Sequence, residues 1–74
     1  MPETEFMLRG QHITLEALLK ASGHVVSGGQ AKVMIQHGQV KVDGQPELRR
    51  ACKLRPGQRV QVQGTTLRLV AAPV

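Results

Sequence analysis

The chain has no tryptophan and no tyrosine, and Phe6 is the one aromatic among its 74 residues. Proteins that hold single-stranded nucleic acid by stacking its bases need several aromatic faces, so that mode of recognition is disfavoured. Cysteine is as scarce. Cys52 stands alone, which rules out an intramolecular disulfide and every zinc pattern built on several thiolates, and makes a reduced, cytoplasmic setting the expectation. No apolar run approaches the roughly 20 residues of a membrane helix. The opening MPETEFMLRG has neither the basic start nor the apolar centre of an export signal, so a soluble, unexported chain with no membrane partner is expected.

Acid is the other shortage, with ten Lys and Arg against five Asp and Glu and a formal net charge of +5. The imbalance is uneven. Residues 1–16 carry Arg9 against Glu3, Glu5 and Glu16, whereas residues 17–74 carry nine cations against Asp43 and Glu47. Such a surface suits a polyanion, nucleic acid above all. A chain this short forms one small domain, residues 1–74, with a core worth only ~3–5 kcal/mol of net stability.

What is present is strong local punctuation. Phe6 and Leu8 alternate with polar neighbours in a short segment that reads as an edge strand ended by Gly10. Thr14 reads as the N-cap of a first helix, with Ile13 and Leu18 as its hydrophobic staple, Glu16 and Lys20 complementing the dipole, and Leu15, Leu18, Leu19 and Ser22 on one face. Gly23 stops it. After a three-residue link, Ser27 caps a second helix running to His37, with Gln30 expected to reach back to the Ser27 amide in a reciprocal capping box. Ala31, Met34 and Ile35 form its apolar face, and Gly38 ends it.

Val40 and Val42 then lead into Asp43-Gly44, a strong two-residue hairpin signal, with Pro46 marking the return arm as an edge. Pro56-Gly57 turns the chain into a strand at Arg59, Val60, Gln61, Val62 and Gln63, and Gly64, Thr65 and Thr66 turn it into a last strand containing Leu67, Leu69 or Val70. The expected core is Phe6, Leu15, Leu18, Leu19, Ala31, Met34, Ile35, Val40, Val42, Val60 and Val62.

Two glycines in a first helical turn cost roughly 1 kcal/mol each relative to alanine and call for a reason. Close approach is one: the free amides of Gly28 and Gly29 lie open to an anion, with Lys32 one turn further on. The same residues also satisfy a plain helix cap. The GxxxxGK[ST] and GxGxxG nucleotide fingerprints are missing. His12, His24 and His37 lack metal-ligand spacing, Cys52 has no partner, and no base and acid stand near Ser22, Ser27 or Thr14, so neither a metal, a cofactor nor enzymatic activity is expected.

The run ITLEALLKASGHVVSGGQAKVMIQHGQVKVDGQPE, continued by RRACKLRPGQRVQV, resembles the RNA-binding domain named for bacterial small-subunit ribosomal protein S-four, over about residues 13–62. The resemblance lies in the leucine-bearing first helix, the small polar cap of the second, Met34-Ile35 before Gly38, the V-x-V-D-G of residues 40–44 and the P-G turn before a V-x-V strand. Short, free-standing bacterial members with SGGxAK and R-R-x-x-K-L-x-P-G segments look most similar. The resemblance implies an α+β fold of two packed helices followed by a small, mainly antiparallel sheet, with RNA held against the second helix, its first turn and the hairpin. Many members carry a cation after the capping serine, where this chain has Gly28.

Together these readings predict a monomeric, non-catalytic protein that contacts structured RNA of the ribosomal or transfer class, alone or on a ribosomal particle, through phosphates and shape. The expected contact residues are Ser27, Gly28, Gly29, Gln30, Lys32, Lys41, Arg49, Arg50, Lys53 and Arg55. The alternative is a protein-interaction module whose basic surface steers encounter. Duplex DNA is disfavoured, because Gln30, Lys32, Gln36 and His37 offer no obvious base-reading set.

Overall fold

The computed structural model describes residues 3–72. Nine elements follow one another: β1 (Glu3–Leu8), β2 (Ile13–Thr14), α1 (Leu15–Ala21), α2 (Gly28–Gln36), β3 (Val40–Val42), β4 (Gln45–Pro46), β5 (Lys53–Leu54), β6 (Arg59–Val62) and β7 (Thr65–Ala71). Five strands form one sheet in the order β1-β7-β6-β3-β4, and β2 pairs with β5 in a separate two-stranded ribbon. The sheet is mainly antiparallel. Its one parallel pair joins β1 to β7, with Phe6 opposite Leu69 and Leu8 opposite Ala71.

Both helices begin and end where the sequence punctuates them. Thr14, extended at φ −74° and ψ 154°, accepts the Ala17 amide at 3.3 Å. At the other end the amides of Gly23 and His24 return to the carbonyls of Lys20 and Leu19, and α2 closes identically, Gly38 to Ile35 and Gln39 to Met34. These are paired Schellman closures, and each needs the left-handed glycine found there, φ 83° at Gly23 and 72° at Gly38.

Alternation along the strands sorts the side chains. Val40, Val60, Val62, Leu67, Leu69 and Leu8 face inward against Leu15, Leu18, Leu19, Ala31, Met34 and Ile35 of the helices, all buried. Among the described residues fourteen apolar side chains make this core, enough for the helices and sheet to hold each other but with no reserve against a large cavity.

The structure departs from the sequence reading at several points. The second two-residue turn is Gln63-Gly64, with φ of 50° and 76°, and Thr65 and Thr66 already belong to β7; register places Val62 opposite Thr65, leaving room for only two residues of the mirror-image turn type. Gln30 does not reach the Ser27 amide. Its side-chain oxygen accepts from Val26 N–H at 2.9 Å, one residue further back, while Ser27 Oγ accepts from Gln30 N–H at 3.2 Å. The second helix ends at Gln36, with His37 as its C-cap. Phe6 and Val42 only pack against the core, whereas Leu8, Val25, Leu54, Leu67 and Leu69 are in it.

Candidate nucleic-acid interface

The start of α2 holds Ser27, Gly28, Gly29 and Gln30 in the expected cap geometry, with Ser27 extended at φ −150° and ψ 161°. The caps engage the amides of Gln30 and Ala31. The two amides before them, on Gly28 and Gly29, bond to none of the described residues, as is usual for a first turn. The glycines themselves differ. A Cβ on Gly29 would meet only Ser27 Oγ at 4.0 Å, but one on Gly28 would drive into Glu16 Oε1 and lie 3.5 Å from Glu16 Cδ. Gly28 is therefore a close-approach glycine, and what approaches is a carboxylate from the first turn of α1.

Glu16 also meets the basic segment. Its amide donates to the Arg50 carbonyl at 3.1 Å, and the amide of Leu15 donates to the Cys52 carbonyl at 2.9 Å. The loop carrying Arg49 and Arg50 thus supplies acceptors for two of the amides that α1 leaves open at its start. Lys53 follows in β5, opposite Thr14 in the ribbon. Through one residue, the glycine turn of α2 and the arginine loop become neighbours, and Lys32, four residues after Gly28, extends that side of α2 by one turn.

Within the loop Glu47 acts as an internal anchor. Its carboxylate accepts from the Arg49 backbone N–H at 3.0 Å and from Arg49 Nε at 3.2 Å. Those two hydrogen bonds, the guanidinium's first, lower its pKa from 4.5 to about 2. Burial, with the nearby Glu47 charge, pushes the Cys52 thiol up, which makes it a poor nucleophile. Arg49 is thereby partly committed inside the protein, while Arg50 remains exposed and without an ion-pair partner among the described residues.

The other expected contact residues are spread more widely. Arg55 is exposed at the Pro56-Gly57 turn, its amide bonded to Gln58 Oε1 at 2.8 Å. Lys41 lies between the inward-facing Val40 and Val42 and opposite Gln61, so it projects from the sheet face away from the helices. There it borders a shallow depression with Gln39, Gln61 and Gln63. Arg59 and Arg68 share that outer face, but both are engaged by β1: Glu3 lies 3.4 Å from each, and Glu5 lies 2.7 Å from Arg68. The acids of the N-terminal strand thus engage both arginines of the outer sheet and leave Lys41 as the cation there without an ion pair among the described residues. Among the described residues no three His, Cys, Asp or Glu side chains gather as a metal site, and no helix is long and apolar enough to cross a membrane.

The role of Glu16 was not visible in the linear chain, although the unexplained glycine pair signalled that something approached. Two exposed apolar side chains were also missed beside this surface, Val26 at 91% exposure just before the α2 cap and Leu48 at 59% just before Arg49.

A family model described as the S4 domain matches residues 6–70. The chain belongs to the S4 domain family. Relatives within reach of this S4 protein include YbcJ of Escherichia coli (strain K12) and YbcJ of Shigella flexneri, each 48% identical over 60 residues, which is 81% of this chain and 86% of the relative. Among solved structures, the solution structure of E. coli YbcJ matches with a TM-score of 0.69 at 46% identity, covering 90% of this chain and 86% of the other. That structure is described as revealing an ALFAL motif involved in RNA-binding.

Proposed function

We propose that this S4 protein is a non-catalytic RNA-binding module of the cytoplasm that grips structured RNA, of the ribosomal or transfer class, by its phosphates and shape. One observation supports the reading: the Glu16 side chain lies beside Gly28 at the first turn of α2 while its backbone amide donates to the Arg50 carbonyl, so the open amides of that turn and the arginine loop flank the same residue. Its sequence relative is described in connection with RNA-binding, and a chain without aromatic platforms has phosphate and backbone contacts as its main resource. Ser27, Gly28, Gly29 and Gln30 orient one phosphate, and Lys32, Arg49, Arg50, Lys53 and Arg55 neutralise its neighbours. Lys41, on the far face of the sheet, serves a strand of RNA that wraps the hairpin edge. The protein acts as a monomer, free or on a ribosomal particle.

The test is retention of a labelled RNA hairpin with a single-stranded tail by the wild type and by the Arg49→Glu/Arg50→Glu double variant. Wild-type binding that the double variant loses supports the reading. Equal retention by both refutes it in favour of a protein-docking module, and stronger retention of duplex DNA than of the hairpin at equal salt refutes the choice of RNA.

A further inference from the structure

The five acidic residues are not alike. Glu3, Glu5 and Glu47 sit in ion pairs, and Asp43 accepts from Gln58 Nε2 and from the Arg59 amide. Glu16 differs from all of these: among the described residues its carboxylate has no cation within ion-pair distance and accepts no hydrogen bond, yet it lies against Gly28 between two positive features. One is the opening turn of α2, whose dipole and free amides favour an anion. The other is the loop of Arg50, held to the backbone of the same glutamate. The hydrogen bond from the Glu16 amide to the Arg50 carbonyl fixes the backbone from which this side chain extends, and Gly28 leaves the space its carboxylate occupies.

Building on the RNA-binding reading, we propose that Glu16 is an intramolecular counter-ion of the interface. Its carboxylate occupies ground that an RNA phosphate has to take, so binding displaces or repels it. The glutamate thereby lowers the affinity for polyanions in general and favours RNAs whose phosphates reach the flanking cations as well. Gly28 leaves this space open, and a side chain there would make the flexible end of Glu16 shift.

The experiment is fluorescence anisotropy with a fluorescein-labelled RNA hairpin carrying a single-stranded tail, titrated with wild type, Glu16→Gln and Glu16→Asp from low to near-molar potassium chloride. Removing one like charge about 4 Å from a phosphate in a water-exposed setting is expected to tighten binding by about fivefold for Glu16→Gln at low salt. That gain is expected to vanish as salt screens it. Glu16→Asp keeps the charge but draws it back from Gly28, and falls between; it also serves if Glu16→Gln does not fold, which a thermal melt reports. Wild-type binding with a Glu16→Gln affinity that is unchanged or weaker overturns the counter-ion role and leaves the RNA-binding reading standing. A gain that persists undiminished at high salt also overturns it, since only a structural effect behaves so. Absence of wild-type binding at every salt defeats the RNA-binding reading itself, and the counter-ion role with it.

Discussion

Replacing Arg49 or Arg50 singly should have unequal effects on how RNA affinity responds to salt, because the two neighbouring arginines are held differently. Arg49 donates to the Glu47 carboxylate from both its backbone and its guanidinium, whereas among the described residues Arg50 engages the fold only through its carbonyl. Of the six cations assigned to phosphates, five therefore enter the complex without an ion-pair partner among the described residues: Lys32, Lys41, Arg50, Lys53 and Arg55. Each neutralised phosphate contributes about 0.7–0.9 to the slope of log affinity against log salt, so the wild type is expected near −3.5 to −4.5. Arg50→Ala should bring that slope about one closer to zero, and Arg49→Ala should shift it by clearly less. Filter binding or anisotropy at five or six salt concentrations resolves the difference. A slope near zero for the wild type, or equal shifts for the two variants, would refute the electrostatic assignment.

Stability offers further checks. Leu54 is fully buried although it sits between Lys53 and Arg55, and Leu54→Ala should cost about 2–5 kcal/mol, most of the stability of a domain this size; urea unfolding measures it. Gly38→Ala introduces no clash within 4 Å but must hold φ at 72°, so a loss of about 1–2 kcal/mol is expected from backbone conformation alone. The lowered pKa of Glu47 means that its contribution is complete above about pH 4.5 and fades as pH falls toward 2. Its partner is largely solvent-exposed, so solvent screening leaves that contribution small. Thermal melts of wild type and Glu47→Gln should therefore differ at neutral pH and converge near pH 2.

Legibility tracked sequence separation. Thr14, Ser27, Gly23, Gly38 and the Asp43-Gly44 turn act within four residues of themselves, and all were readable because caps and tight turns demand particular side chains at particular offsets. The β2–β5 ribbon was not readable: its strands are two residues long and lie about 40 residues apart, too short for any alternation to register. Leu54 was hidden for the same reason, a lone apolar residue in a basic run. The cations could be counted from the chain but not divided. Only the fold shows that Glu3 and Glu5 engage Arg59 and Arg68 on the outer sheet, or that Glu16 stands at the start of α2.

The parallel pairing of β1 with β7 has a consequence for how the protein is made. Among the described elements β1 has as its sheet partner the one made last, β7, so during synthesis it must wait for both helices and the strands between before it can dock. Closing so long a loop is slow, and an unpaired strand meanwhile offers its backbone to any other chain. Glu3 and Glu5 are present throughout that interval, before Arg59 and Arg68 exist to receive them. The acids that later bind the sheet together first keep the waiting strand apart from its own kind.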